Sequence, residues 1–175
     1  MFAVNVAQQL KEPIGSVREY DIDGLVEISG KESLVNGHVK LTRTDRGILV
    51  EARLDSEINI TCCRCLGEFN KTLRLGFEEE YLQTVDLASG SRLSLPKETD
   101  YFNINQRHDL DLTEAVRQYA LLSMPMKALC RDDCAGLCPQ CGHNRNLGPC
   151  RCSSVEVDPR WAPLLELRDS RKGKK

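Results

Sequence analysis

Alternating apolar and polar residues dominate the first half of the chain. Over residues 48–62 the even positions are mostly apolar and the odd positions mostly polar, which is the period of two of a half-buried strand. Residues 38–42 alternate in the same way before the turn formers at 44–47, and residues 73–81 continue the alternation. The pattern predicts at least three neighbouring strands of an antiparallel sheet.

Two shorter apolar segments, residues 2–6 and 22–29, are expected to add strands to this sheet. Residues 86–108 have little periodicity and contain turn formers such as Gly90 and Pro96. They are predicted to form a long surface loop.

A helix is predicted after this loop. Asp111 and Glu114 have the spacing of a capping box, and Pro125 is expected to end the helix. Its apolar stripe consists of Leu112, Val116, Tyr119 and Leu122. We expect the helix to cover the apolar face of the sheet. A second short helix is predicted at residues 158–167, where a proline stands near the start.

These patterns predict an α+β fold, in which an antiparallel β-sheet is covered by a helix. Six of the nine cysteines lie in close pairs after residue 126, and paired cysteines are typical zinc ligands, so the sheet is expected to be followed by a C-terminal cysteine-rich zinc module. We divide the chain into a β-rich domain with its covering helix (1–125), a zinc-binding module with a short helix (126–167) and a basic tail (168–175). The net charge is −2, but residues 126–175 hold ten lysines and arginines against six acids. A uniformly basic nucleic-acid-binding protein is excluded, and contact with phosphate would need a local patch.

Composition indicates a globular protein. Hydrophobic residues make up 41% of the 175 residues and charged residues 29%. No apolar run approaches the ~18 residues needed to cross a bilayer, and the first residues lack the pattern of a signal peptide. We therefore expect a cytoplasmic protein without a membrane partner. In a reducing compartment, its nine cysteines are better explained by metal binding or redox chemistry than by disulfides.

Eight of the cysteines form four close pairs: Cys62/Cys65, Cys130/Cys134, Cys138/Cys141 and Cys150/Cys152. Structural zinc takes four tetrahedral ligands, and short Cys-x-x-Cys spacings let one turn present two sulfurs to the same ion. The last two pairs are separated by only a short loop, so they are predicted to form one zinc site.

The partners of the other two pairs are open. A second zinc site made by Cys62, Cys65, Cys130 and Cys134 is favoured, which gives two ions. The competing arrangement is one local site of Cys130, Cys134, Cys138 and Cys141.

The remaining cysteine and the three histidines are placed outside the sites. Cys63 points to the opposite side of the predicted strand from Cys62. His143 stands beside the Cys138/Cys141 turn and could replace one thiolate, but a hydrogen-bonding or surface role is favoured. His38 and His108 are interpreted as structural.

No catalytic residue is predicted. Zinc enzymes keep a coordination position open for water, whereas four thiolates close the shell. The sequence also has no glycine-rich phosphate loop and no nucleophile elbow. We expect a protein that is not an enzyme and has no small-molecule substrate.

A family resemblance is carried by short segments and single residues along the chain: residues 62–66, Phe69, residues 111–112 and 124–127, Cys130, and residues 134–146, 148–152 and 158–164. In them the chain resembles the YceD family, named large ribosomal RNA subunit accumulation protein, in its cysteine-rich form. The sequence departs from the family pattern at Arg145, where we expect leucine. The resemblance covers about residues 60–167.

The resemblance implies a non-enzymatic, bacterial-type factor that supports the accumulation of large-subunit (23S) ribosomal RNA and thus ribosome biogenesis. Its implied partners are ribosomal RNA or precursor proteins of the large subunit. Two alternatives are a zinc-thiolate redox-regulated chaperone and a protein-interaction module with the zinc fold as its scaffold.

Basic residues in the C-terminal third are the candidates for RNA contact. They are Arg145, Arg151, Arg168, Arg171, Lys172, Lys174 and Lys175. For the last five, a disordered tail that aids solubility is the alternative interpretation.

Overall fold

A computed structural model describes residues 2–87, 89–94, 101–152 and 160. The chain divides into two compact units. The first, which we call the sheet unit, comprises residues 1–62 and 67–130, and the second, the cysteine unit, comprises residues 63–66 and 131–175. The domain boundaries placed at residues 125 and 167 stay predictions. The helix predicted at residues 158–167 lies outside the described residues, apart from position 160.

The described residues form seven strands and one α-helix: β1 (Ala3–Asn5), β2 (Val17–Ile28), β3 (Lys31–Arg43), β4 (Gly47–Thr61), β5 (Glu68–Gln83), β6 (Phe102–Ile104), β7 (Asp109–Asp111) and α1 (Thr113–Ser123). The main sheet has the order β2-β3-β4-β5-β6. Its first four strands are antiparallel neighbours in chain order, as expected of successive hairpins. The predicted α+β class is confirmed.

The alternation of apolar and polar residues in β4 buries one face of the strand, as predicted. Even-numbered side chains from Ile48 to Ile58 are buried, whereas the odd-numbered ones are exposed or half-buried. The register places Leu54 opposite Leu75 of β5, and Val50 opposite Leu41 of β3. Apolar side chains of three strands therefore meet on one face, which is the core.

Helix α1 packs on this face, as predicted. Val116 and Ala120 are fully buried. The Tyr119 ring stacks on Phe77 of β5 with 4.7 Å between the ring centroids, and its hydroxyl donates to Glu79. None of the described helices is long and apolar enough to span a membrane.

The predicted end of α1 is confirmed, and the helix begins just after Asp111 as expected, but the predicted capping box is wrong. Met124, the residue before Pro125, has an extended ψ of 131°, because the proline ring disfavours helical backbone at that position. No capping box forms at the start. The Asp111 carboxylate accepts hydrogen bonds from the N–H and hydroxyl of Thr113, while Glu114 binds Arg117 and does not reach back.

The apolar stripe of α1 needs one correction. Leu122, assigned to the stripe, is 78% exposed. Ala115 and Ala120 complete the buried face together with Val116. Alanine gives little apolar signal in a sequence, but its small side chain lets the helix backbone approach the sheet closely.

The strand predicted at residues 2–6 exists but does not join the main sheet. β1 pairs with β7 in a separate two-stranded sheet, with Ala3 opposite Asp111. A strand of three residues is too short for its sequence to indicate its partner.

The prediction of a surface loop over residues 86–108 is wrong in part. β6 runs parallel to β5 at the edge of the main sheet. Ile104 is fully buried, and the Phe102 ring stacks on Tyr81 with 5.2 Å between the centroids. Two apolar side chains separated by one polar residue anchor this strand, and that pattern is too brief to detect as a period.

Candidate metal centres

The eight paired cysteines converge in two clusters. The first cluster consists of Cys62, Cys65, Cys130 and Cys134, and the second of Cys138, Cys141, Cys150 and Cys152. Within each cluster all four Sγ atoms lie within 4.8 Å of one another. Zinc–sulfur bonds of about 2.3 Å would place tetrahedral sulfurs about 3.8 Å apart, so both clusters need only small adjustments to take an ion.

This grouping is the one favoured from the sequence. The competing site, which joined Cys130 and Cys134 to Cys138 and Cys141, is not the arrangement found. Cys63 is exposed and lies outside both clusters.

The first cluster begins at the end of β4. Cys62 and Cys65 are buried, and the Cys62 N–H donates to the carbonyl of Gly67 over 2.9 Å. Leu66 closes the turn in the left-handed region, at a φ of 57°. The hairpin between β4 and β5 thus presents two sulfurs at its tip.

Arg64, inside this turn, organises the chain around Cys134. Its guanidinium donates to the carbonyl oxygens of Asp132 and Cys134 over 3.4 and 3.1 Å. Its own carbonyl accepts from the N–H of Leu137 over 3.2 Å. The backbone of Gly136 lies close to Arg64: a Cβ at position 136 would be 3.1 Å from the Arg64 carbonyl oxygen. Sequence reasoning missed both roles, because they depend on contacts between distant parts of the chain.

The second cluster is built on a tight turn. The Gly142 N–H donates to the carbonyl of Cys138, and the Cys138 N–H donates to the carbonyl of His143. Gly142 has a φ of 71°, a backbone conformation that favours glycine. His143 is exposed and contributes its backbone to this turn; it is not among the clustered ligands.

The thiols of this cluster have opposing pKa shifts. Hydrogen bonds from the backbone N–H groups of Cys141 and Gln140 lower the pKa of Cys138 to about 6. A hydrogen bond with Cys141, together with burial, raises the pKa of Cys152 to about 12. Four adjacent sulfurs do not all ionise readily without a cation, and zinc would offset their mutual repulsion. The donor set therefore fits a thiophilic metal ion.

The predicted RNA-binding residues are only partly described. Arg145 and Arg151 are exposed, and the Arg145 N–H donates to the carbonyl of Gly136 over 2.9 Å. The other five lie outside the described residues: Arg168, Arg171, Lys172, Lys174 and Lys175.

The fold and the two clusters define an α+β protein with eight clustered cysteines, which offer two sets of four thiol ligands. The family model of Large ribosomal RNA subunit accumulation protein YceD matches residues 50–168, and the chain belongs to this family. The match includes all eight clustered cysteines. The resemblance seen in the sequence is confirmed.

Several curated proteins are similar to the chain. Uncharacterized proteins of Mycobacterium tuberculosis and Mycobacterium bovis are each 26% identical over 135 residues, which cover 77% of this chain and 62% of the relative. The chain thus matches less than two thirds of the length of these relatives. Large ribosomal RNA subunit accumulation protein YCED homolog 1, chloroplastic, of Arabidopsis thaliana is 33% identical over 61 residues, 35% of this chain and 19% of that protein. No solved structure matches.

Proposed function

We propose that the chain is a non-enzymatic cytoplasmic factor that supports the accumulation of large-subunit (23S) ribosomal RNA during ribosome biogenesis. The observation that carries the proposal is the family match over residues 50–168. The relative in Arabidopsis bears the same functional name. The partners would be ribosomal RNA or precursor proteins of the large subunit.

Each cysteine cluster would hold one structural zinc ion. Four thiolates complete a tetrahedral shell and leave no position for a reacting water molecule. The ion would fix the backbone of the cysteine unit, in which the described residues form no long helix or strand. Small modules of this kind commonly depend on metal for folding.

RNA contact is assigned to the cysteine unit. Arg145 and Arg151 extend from loops that close the second cluster, so an ion there would hold both guanidinium groups on an ordered surface. The basic residues of the tail, Arg168, Arg171, Lys172, Lys174 and Lys175, would add phosphate contacts.

The outward face of the main sheet is a poor surface for phosphate. Glu19, Lys40, Glu51 and Glu78 form one row across β2 to β5, and the two glutamates of β4 and β5 lie directly opposite each other. They line a depression of about 640 Å³ whose floor includes Gly76. Lys40 is paired with Glu51 over 2.5 Å, so its charge is already neutralised.

The RNA contact is tested by measuring binding of the purified full chain to 23S ribosomal RNA fragments at several salt concentrations. Each phosphate that the protein contacts releases counterions on binding, which makes the slope of log affinity against log salt more negative by about 0.7–0.9. The double variant Arg145→Ala/Arg151→Ala should weaken binding and flatten this slope. Truncation after Leu167 should weaken binding to all RNA sequences alike.

A matched control is Arg53→Ala/Arg74→Ala, which removes two exposed arginines from the outward face of the sheet. This control should bind RNA as the unchanged chain does. Equal losses in both double variants, or binding that does not depend on salt, would contradict the assignment. Cross-linking and sequencing of RNA bound to the tagged protein in cells gives the partner directly, and recovery of protein partners alone would favour an interaction module.

A further inference from the structure

Asn146 lies in sequence between two ligands of the second cluster, but its side chain contacts a ligand of the first cluster. It lies in the loop between Cys141 and Cys150, which the second cluster closes. Its side-chain Nδ2 donates to Sγ of Cys134 over 3.3 Å. One asparagine therefore joins the loop of one cluster to a sulfur of the other.

Three further hydrogen bonds fix the orientation of this amide, and a fourth holds its backbone. Its Oδ1 accepts from the Ala135 N–H over 2.8 Å and from the Arg131 guanidinium over 2.7 Å. The Oδ1 of Asn144 accepts from both the backbone N–H and Nδ2 of Asn146. Because two donors hold the amide oxygen, the amide nitrogen is the atom that faces the sulfur.

The surrounding backbone keeps this loop on the segment that contains Cys134. Leu137 and Asn144 form an antiparallel bridge, and the Arg145 N–H donates to the carbonyl of Gly136. Asn146 thus lies in a loop that these contacts hold on the Cys134 segment and that ligands of the second cluster, Cys141 and Cys150, flank on both sides.

An N–H donor stabilises a thiolate relative to a thiol, and metal binds the thiolate. Groups that hydrogen-bond to metal ligands typically change metal affinity by about 10–100-fold when removed. The amide of Asn146 therefore favours metal binding at the first cluster only while its loop is ordered.

We propose that Asn146 couples the two clusters, so that zinc in the second cluster strengthens zinc binding in the first. Linkage requires the reverse effect to have the same magnitude. This inference rests on the proposed binding of zinc by both clusters.

The test is a zinc titration of the purified full chain against a chromophoric chelator. Asn146→Asp retains the oxygen that Ala135 and Arg131 contact, but it replaces the donor that faces Cys134 with a second oxygen. We expect this variant to bind one of the two zinc ions about 10–100-fold more weakly. Asn146→Leu, which removes the donor without adding a charge, should have an effect in the same direction. Asn36→Leu, at an exposed position of β3, is the control and should not change either affinity.

Coupling is measured by combining variants. Cys150→Ser/Cys152→Ser removes the second ion and should also weaken the first. Adding Asn146→Asp to this background should produce little further loss, because the donor is already misplaced. Cobalt substitution reports in parallel, through the thiolate charge-transfer bands, whether the first cluster keeps four sulfur ligands.

Three results would overturn the inference. Full affinity for both ions in Asn146→Asp and Asn146→Leu excludes the role of the donor. Independent losses in the combined variant exclude coupling, although both zinc sites would stand. An unchanged chain that binds no zinc refutes the proposed metal sites and the coupling together.

Discussion

Single residues hold the cysteine unit together through contacts that the sequence alone does not indicate. Position 136 favours glycine for two reasons. Its φ is 70°, and a Cβ there would lie 3.1 Å from the Arg64 carbonyl oxygen. We expect Gly136→Ala to destabilise the zinc-loaded cysteine unit by about 1–3 kcal/mol. Thermal unfolding with zinc release as the signal measures the change.

Gly142→Ala is the matched control for this substitution. Gly142 has a φ of 71°, but a Cβ there would meet no atom within 4 Å. It should therefore show only the backbone cost of the left-handed conformation, about 1–2 kcal/mol. A Gly136→Ala protein at least as stable as Gly142→Ala would contradict the close approach of Arg64.

Tyr81 is the residue with the clearest consequence for pH dependence. Its hydroxyl is buried without a hydrogen-bond partner among the described atoms, and burial, followed by the charges of Asp111 and Glu79, raises its pKa. A raised pKa in the folded state stabilises the protein below the unfolded value near ~10, and this contribution is lost as the pH rises further. The protein should therefore lose stability above about pH 10.

Tyr81→Phe should remove the part of the stability loss at alkaline pH that comes from ionisation of the Tyr81 hydroxyl. At neutral pH its stability should be unchanged or higher, because an unsatisfied buried hydroxyl costs about 1–3 kcal/mol. Tyr119→Phe should instead be destabilising at neutral pH, since the Tyr119 hydroxyl donates to Glu79. Urea unfolding at pH 7.5 and 10.5 separates the two. A large neutral-pH loss in Tyr81→Phe would show that the hydroxyl has a partner.

Among the secondary-structure elements, α1 tests the packing most simply. Val116 is fully buried and Leu122 is 78% exposed, although the sequence placed both on one apolar stripe. Val116→Ala should cost about 2 kcal/mol through lost burial and a residual cavity. Leu122→Ala should change stability by less than about 0.5 kcal/mol. Similar losses of stability in the two variants, measured by urea unfolding, would indicate that Leu122 is buried with Val116, as the sequence predicted.

The long strands could be predicted because alternation is a local property of the sequence. β4 shows it over its whole length, and its register then follows from the hairpin turns at both ends. β1, β6 and β7 have three residues each, so their pairing is decided by which partner lies nearby in the folded chain. The mixed sheet at β6 and the separate β1–β7 pair therefore could not be predicted.

The ligand sets were predictable for a similar reason. Paired spacing marks the cysteines, and grouping two pairs by sequence proximity gives the second cluster. The roles of Arg64 and Asn146 depend on hydrogen bonds between residues distant in sequence, which the family resemblance of their segments does not indicate. Such contacts became visible only with the structure.

At the scale of the whole molecule, charge and metal binding favour the cysteine unit over the sheet unit for the proposed RNA contact. The outward face of the sheet carries a row in which glutamates outnumber lysine, whereas residues 126–175 carry a net charge of +4. Ribosomal RNA would be drawn to the cysteine unit, and the two ions would keep its basic side chains in place. The function proposed for the chain thus depends on both clusters being filled.

Zinc content per chain is the measurement that tests this dependence most directly. Elemental analysis of protein purified without chelator should find two zinc ions per chain, since the clusters provide two complete sets of four thiolates. Cys65→Ser should lose one ion and Cys138→Ser the other, while Cys63→Ser should keep both. A folded protein with no zinc, or a Cys65→Ser variant that still holds two ions, would contradict the two-site structure.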